Sequence, residues 1–149
     1  MTHFHTAKGH EIMSGTRPPD ALDPLTNGEI FQIWQALKSE DIEVHYTHIG
    51  AGLNTGAHSH PDASHYLIII SGIAHAWLDG TVVRLEAGDF LQIPRYTVHD
   101  FAADPTTDVW DLSVTHPGWD VQNMDYDVDA KEAIRAALVE SFNMKPKGS

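Results

Sequence analysis

The chain has 149 residues, no cysteine, and 21 acidic against 9 basic residues, which gives a formal net charge of −12. This length suits one domain with a substantial core, and the lack of cysteine excludes a disulfide scaffold, thiol catalysis and thiolate metal ligands. The negative charge repels nucleic acid and anionic lipid surfaces, so neither is an expected partner.

No stretch of the sequence approaches the roughly 18 apolar residues that a membrane-spanning helix needs. The residues Met1–His5 also lack the basic region followed by an apolar segment with which a secretory signal begins. We therefore predict a cytoplasmic protein with a single domain over residues 1–149.

The N-terminal part is predicted to be an irregular arm, because Gly15, Pro18, Pro19 and Pro24 interrupt any regular pattern. A first strand is predicted at Glu29–Trp34. Eight further short strands follow, at Ile42–Ile49, His58–His60, Ser64–Ile70, Ala74–Leu78, Val82–Leu85, Phe90–Ile93, His99–Ala102 and Val109–Thr115. Short strands separated by glycine, proline and aspartate turns predict an all-β sandwich or barrel.

One amphipathic α-helix is predicted at the C-terminus, over about residues 128–143. Asp129–Glu132 reads as a capping box, and Lys145–Gly148 ends the pattern. Apolar residues recur between them at helical spacing: Ile134, Ala137, Leu138 and Phe142. The polar face is mixed in charge, so we expect the helix to pack on the barrel or on a second subunit.

Four histidines carry the chemistry that the sequence predicts. His58 and His60 alternate along an extended segment and share a face, His65 follows a turn, and His99 arrives from a later strand. Imidazole suits Fe, Mn, Ni, Cu and Zn. We predict that His58, His60, His65 and His99 hold one divalent transition metal per chain, with iron expected and the other four left open.

The spacing resembles that of the cupin superfamily. Gly52-x5-His58-x-His60-x4-His65-x6-Gly72 is similar to the first cupin motif, and Gly88-x5-Pro94-x4-His99 to the second. The resemblance spans residues 52–99 and implies a cupin-type jelly-roll barrel with one metal near its mouth. By analogy it also implies a homodimer, with the arm Phe4–Trp34 as an exchanged segment.

Three positions depart from the cupin motifs: His65 replaces the usual glutamate, Tyr96 the second glycine, and Ala103 an asparagine. Four neutral imidazoles leave the whole charge of a divalent ion uncompensated, whereas a carboxylate ligand would cancel one unit. We therefore expect a stronger Lewis acid that favours an anionic ligand such as an enolate, phenolate or carboxylate.

The pocket wall is predicted from strand parity. If His65 and His99 point inward, so do Leu67, Ile69 and Phe101, and they form a dry wall around the ion. Tyr46 and Trp77 join the predicted pocket if the faces that they share with His48 and His75 are the inner ones.

His75 and His48 are the predicted catalytic bases, and a hydrogen-bonded structural role is the alternative for each. Asp111 and Arg84 are candidates for polar contacts, with solvated or ion-paired faces as the alternative.

Three functions follow from this site. The first is a non-haem iron dioxygenase acting on a small anionic aromatic or enolisable substrate. The second is a non-oxidative Lewis-acid cyclase, isomerase or lyase that uses Zn or Mn. The third is a ligand-binding barrel without turnover, because fold alone does not specify a reaction.

Overall fold

Antiparallel strands make up most of the computed structural model, which describes residues 2–5, 7–8, 11–14, 26–27, 31–117, 125–126 and 128–146. The elements are β1 Thr2–His5, β2 Glu11–Ser14, β3 Thr26–Asn27, β4 Phe31–Lys38, β5 Glu43–Ile49, β6 Ser64–Ser71, β7 Ile73–Leu78, β8 Thr81–Glu86, β9 Phe90–Ile93, β10 His99–Ala103, β11 Val109–His116 and α1 Lys131–Ser141.

The strands form two main sheets that pack face to face. One has six strands in the order β3-β4-β5-β11-β6-β9, the other has three in the order β10-β7-β8, and β1 and β2 pair separately. The chain crosses from the six-stranded to the three-stranded sheet after β6 and after β9, and it returns after β8 and after β10, as in a jelly roll. The predicted all-β fold with a cupin-type jelly roll and one C-terminal helix is confirmed.

The core lies between the two sheets. Leu67 and Ile69 of β6 pack there with Ala74 of β7 and Phe101 of β10, all buried. Alternate residues of each strand share a face, so each sheet directs one side of its strands into this space. The same space continues into a pocket lined by His58, His60, His65 and His99.

The outer face of the six-stranded sheet is apolar. Tyr66, Ile68 and Ile70 alternate with the buried residues of β6 and are exposed, and Phe90 of β9 is 77 % exposed. Ile68 pairs with Phe90 and, on its other side, with Leu112 of β11. These side chains form a continuous outer apolar surface.

Gly72 turns the chain from one sheet to the other between β6 and β7. Its φ of +88° lies in the left-handed region, and a Cβ there would lie 2.0 Å from the carbonyl oxygen of Asp108. Any larger residue would therefore clash with backbone rather than with a movable side chain.

Three strand predictions need correction. The N-terminal arm, predicted to be irregular, contains the paired strands β1 and β2 and the short strand β3, although Gly15, Pro18, Pro19, Pro24 and Glu29 lie outside the described residues. The strand predicted to end at Trp34 continues to Lys38, because β5 pairs along it past an irregularity between Gln35 and Leu37. The predicted strand His58–His60 is a loop with isolated bridges to His99 and Asp125.

The helix packs on the barrel, as predicted. Ile134 and Leu138 are buried against Ala57 and Ala102, with Phe142 beside them, on the outer face of the three-stranded sheet. The capping-box prediction is wrong. The N-cap is Ala130, with a φ of +60° and no side-chain cap, so Asp129 lies one residue too early to cap the helix. Within the described residues, α1 is the one helix, and its eleven residues are too few and too polar to cross a bilayer.

We predict that Gly72→Ala destabilises the fold much more than Gly80→Ala. Gly80 also has a positive φ, of +93°, but nothing lies within 4 Å of its added Cβ. Gly80→Ala should therefore cost only the left-handed backbone penalty of about 1 kcal/mol, and Gly72→Ala about 3 kcal/mol or more. Urea unfolding of both variants measures the difference, and equal losses would contradict the clash.

Candidate metal centre

One loop and two strands bring four histidines to one end of the space between the sheets. His58 and His60 lie in the loop between β5 and β6, His65 near the start of β6, and His99 at the start of β10. The backbones of His58 and His99 exchange two hydrogen bonds, of 3.0 and 2.9 Å, which fixes the loop against β10.

The four imidazole rings surround a common centre. The ring centroids of His58 and His99 are 4.3 Å apart, those of His60 and His99 5.0 Å, and those of His60 and His65 5.1 Å. The centroids of His65 and His99 are 5.9 Å apart. The sequence prediction that these residues come together is therefore matched by their placement.

Backbone carbonyls fix the tautomers of two of the rings. Nδ1 of His58 donates to the Gly56 carbonyl oxygen at 2.6 Å, and Nδ1 of His99 donates to that of Thr97 at 2.8 Å. A proton held at Nδ1 leaves the lone pair on Nε2, which is the atom that binds a metal. Nε2 of His99 is buried and has no hydrogen-bond partner within the described part of the chain.

Burial keeps all four imidazoles neutral. It lowers the pKa of His60 to about 2, with smaller contributions from the neighbouring His65 and His58. It also lowers the pKa of His65 and of His99 well below the usual value, followed in each case by the effect of neighbouring histidines, and it lowers that of His58. Neutral imidazole is the form that coordinates a cation.

These residues fit a transition metal. One ligand atom from each of His58, His60 and His99 lies within 4.8 Å of the other two, so these three histidines could hold a metal ion. His65 lies outside that tight group but contributes its ring to the same pocket. A ligand set made of imidazoles without thiolates suits a divalent transition metal of intermediate softness.

A hydrogen-bonded network supports the loop that carries His58. The carboxylate of Asp100 accepts hydrogen bonds from Asn54 Nδ2 at 2.8 Å, Thr55 Oγ1 at 3.2 Å and the Gly56 backbone N–H at 3.0 Å. Arg135 of α1 donates to the Asn54 side chain. Asn54 and Asp100 thus link the helix to Gly56, whose carbonyl orients His58, and this network connects α1 to the metal centre.

The rings open onto a cavity of about 50 Å³ between the sheets. Its wall combines the four histidines with apolar and polar side chains, namely Ile33, His45, Thr47, Ile49, Thr55, Leu67, Phe101, Asp111, Ser113 and Thr115. Leu67 and Phe101 are predicted wall residues that the structure places there. Ile69, also predicted, is buried in the core behind the wall.

Two predicted pocket residues lie elsewhere. Tyr46 is on the outer face of β5, where it pairs with Trp34 and Leu112, because the inner face of that strand is made by His45, Thr47 and Ile49. Trp77 is on the outer face of β7 and packs against the cluster beneath α1. The parity chosen for both strands was therefore wrong by one residue.

The two predicted catalytic bases are also outside the pocket. His48 Nε2 lies 2.9 Å from Asp108 Oδ2 on the outer side of β5. His75 is fully buried under α1, with Nε2 at 2.9 Å from Asp104 Oδ2 and its ring against Phe142. This placement corrects the prediction, and both histidines match the hydrogen-bonded structural alternative.

Sequence reasoning undervalued Asp111 and missed His45. Asp111 is a buried carboxyl in the wall, and burial raises its pKa to about 7 despite a hydrogen bond of 2.8 Å from Ser113 Oγ. His45 lies 3.4 Å from the buried Glu43 and also faces the cavity. Arg84, the other polar candidate, is ion-paired with Glu86 on β8. The signal was available in β11, where Asp111, Ser113 and Thr115 alternate with apolar residues.

Tyr96, which replaces the second glycine of the cupin motif, adopts a backbone conformation typical of glycine. Its φ is +64°, so the turn before β10 needs the left-handed conformation that glycine adopts without penalty. The tyrosine is 69 % exposed and its side chain is tolerated there. The backbone of the turn is therefore kept although the glycine is not.

Comparison with solved structures finds the same fold in proteins of low sequence identity. A cupin-2 domain from Rhodospirillum rubrum aligns with a TM-score of 0.69 and 18 % identity, over 87 % of this chain and 95 % of the other. KdgF from Halomonas sp. aligns with a TM-score of 0.60 and 20 % identity, over 66 % and 90 %. A chain from a study of the DMSP lyases RdDddP and RnDddQII aligns with a TM-score of 0.54 and 20 % identity, over 58 % and 47 %.

No curated protein matches the chain. The sequence model of the cupin domain matches residues 45–114, which contain all four histidines of the centre. The match covers the stretch from β5 to β11, and the solved structures extend the likeness to the fold around it. Residues 45–114 therefore match the cupin domain, and the chain as a whole has the cupin-type fold.

Proposed function

We propose that this protein is a metal-dependent enzyme for a small anionic or enolisable substrate, and that it acts as a non-haem iron dioxygenase. The observation that carries the proposal is the convergence of four neutral imidazole rings on one small, mainly apolar cavity. Three of them form the tight group, and His65 completes the proposed ligand set. A cavity of about 50 Å³ favours a compact ligand over a fused aromatic ring system.

Each part of the wall has a role in this proposal. His58, His60, His65 and His99 would hold the ion, and the carbonyls of Gly56 and Thr97 keep two of the rings correctly oriented. Leu67 and Phe101 exclude water, which strengthens electrostatic attraction between the site and a bound anion. A divalent ion bound there supplies Lewis-acid stabilisation of an oxyanion and, if it is iron(II), reactivity with O2.

A non-oxidative lyase, isomerase or cyclase is the second candidate. The buried carboxyl of Asp111 favours it, because such reactions need a proton acceptor in the same pocket as the Lewis acid, and the wall contains one. A binding barrel without turnover is the remaining alternative, and turnover of any substrate excludes it. The cytoplasmic location expected from the sequence stays a prediction.

We predict that the purified protein contains about one iron ion per chain. We also predict that the protein consumes O2 when a β-diketone or a catechol is added. His99→Ala should lower the metal content at least about tenfold, because its Nε2 belongs to the tight group. His116→Ala is the matched control, since His116 is exposed and contacts the Asp41 carbonyl outside the site.

Elemental analysis and an oxygen electrode make these measurements. Iron without O2 uptake across compact diketones and catechols would contradict the dioxygenase. Zinc or manganese with redox-neutral turnover would favour the second candidate. Equal metal loss in both histidine variants would contradict the assignment of the centre.

A charge-changing substitution tests why histidine replaces glutamate in the motif. We predict that His65→Glu keeps a metal but binds azide about tenfold more weakly, because a carboxylate cancels one unit of the cation's charge. His65→Gln is the control, since it has similar size and no charge. Titration followed by absorbance measures azide affinity, and equal affinity in the two variants would refute the charge effect.

We also propose a homodimer. The outer apolar surface of Tyr66, Ile68, Ile70 and Phe90 supports it, because an exposed apolar sheet face of this kind favours association. Light scattering should give twice the chain mass, and Ile68→Lys should give a monomer. Val139→Lys is the control, because Val139 is equally exposed, at 48 %, but lies on α1. A monomeric native protein would contradict the proposal.

A further inference from the structure

Asp111 occupies an unusual position for a carboxyl in this protein. It is 5 % exposed, lies on the inner face of β11, and lines the same cavity as the four histidines. Among the described residues of that wall it is the one carboxyl. Burying a carboxyl costs free energy unless a partner compensates it, so its presence calls for a functional reason.

The protein satisfies only one side of this carboxyl. Ser113 Oγ donates to Oδ1 at 2.8 Å, and Oδ2 accepts no hydrogen bond within the described part of the chain. Its strand neighbours are Thr47 on β5 and Ile69 on β6. Oδ2 is therefore available to a donor that enters the cavity.

The strand register places Asp111 away from His65 along the cavity wall. Thr115 pairs with His65, and Asp111 lies two inward positions further along β11. A ligand in the cavity thus has imidazoles at one end and the carboxyl at the other. Such an arrangement suits a compact molecule with an acidic hydrogen at one end and an oxygen donor at the other.

We propose that Asp111 is the proton acceptor of this site, and that its ligand is a conjugated weak acid of the β-diketone or hydroxyenone class. The O–H or C–H bond of the ligand breaks, its proton forms a new O–H bond on Asp111 Oδ2, and the electron pair stays on the ligand as an enolate. No electrons are transferred to another molecule. Conjugation spreads the new charge to the oxygen at the histidine end, so this inference rests on the proposed function.

The surroundings favour proton transfer to this carboxyl. Burial raises its pKa to about 7, which is close to the pH at which a proton acceptor is most effective. The titratable groups that face the cavity around it are His45 of β5, next to Glu43, and the four ligand histidines. Besides His65, the described residues of β4 and β6 that line the cavity are the apolar Ile33 and Leu67. No lysine or arginine appears among the described wall residues, so no fixed cation holds Asp111 ionised.

Proton counting by calorimetry tests the inference without turnover. Acetylacetone is titrated at pH 8 into zinc-loaded protein in buffers of different ionisation enthalpy. The native protein should release close to no protons, because Asp111 keeps the one that the ligand loses. Asp111→Asn should either release about one proton per bound molecule or fail to bind. Asp79→Asn, an exposed turn substitution, should behave as the native protein does.

The results for the native protein distinguish the role of Asp111 from the proposed substrate class. Release of about one proton by the native protein would overturn the role of Asp111 and leave the proposed substrate class standing. Absence of binding to the native protein would overturn both.

Thermal unfolding gives a second readout that needs no ligand. The folded-state pKa of Asp111 is raised from 3.8 to about 7, so its neutral form is favoured and stability falls as the pH rises through that interval. Asp111→Asn should therefore raise the melting temperature relative to the native protein more at pH 8 than at pH 5. An equal difference at both pH values would overturn the assignment of a protonatable carboxyl.

Discussion

Four imidazoles line one pocket between the sheets, and the rest of the site depends on keeping them neutral and close together. Burial disfavours the protonated form of each ring. Repulsion between neighbouring protonated histidines lowers the pKa of His60, His65 and His99 further. The Gly56 and Thr97 carbonyls then decide which nitrogen carries the proton in His58 and His99. A cation in the middle would satisfy the lone pair of His99, whose buried Nε2 has no hydrogen-bond partner among the described residues.

The chain reverses the usual distribution of polar and apolar residues on β11. On β11 the inner positions are Asp111, Ser113 and Thr115, whereas the outer positions Leu112 and Val114 are apolar. A wall built this way offers hydrogen bonds to a small ligand at the expense of core packing. The apolar residues of the sheet lie instead on its outer apolar surface. Exposed apolar side chains of this kind favour contact with another surface that covers them. The pocket and the proposed dimer therefore follow from the same pattern.

Most strand positions and the four histidines that meet in the pocket were predictable from the sequence, because both depend on local signals. Glycine and proline mark the turns, and the spacing of His58, His60, His65 and His99 carries the resemblance to cupins. Which face of a strand is inner was predictable for β6, since His65 sets the parity of Leu67. It was not predictable for β5, where both faces carry a histidine, or for β7, where both faces carry apolar residues. There the outcome depends on pairing with β11 and on where α1 docks, which are contacts distant in sequence. For the same reason His48 and His75 were preferred to Asp111, whose inward position only the sheet reveals.

X-ray absorption spectroscopy of the purified protein at the edge of its bound metal tests the central claim most directly, because it reads the atoms around the ion. The structure predicts a first shell dominated by nitrogen at about 2.0–2.1 Å, with the outer-shell scattering of imidazole from His58, His60, His99 and His65. A shell made only of oxygen, or a spectrum of His99→Ala identical to that of the native protein, would contradict the claim that these four residues share one cation.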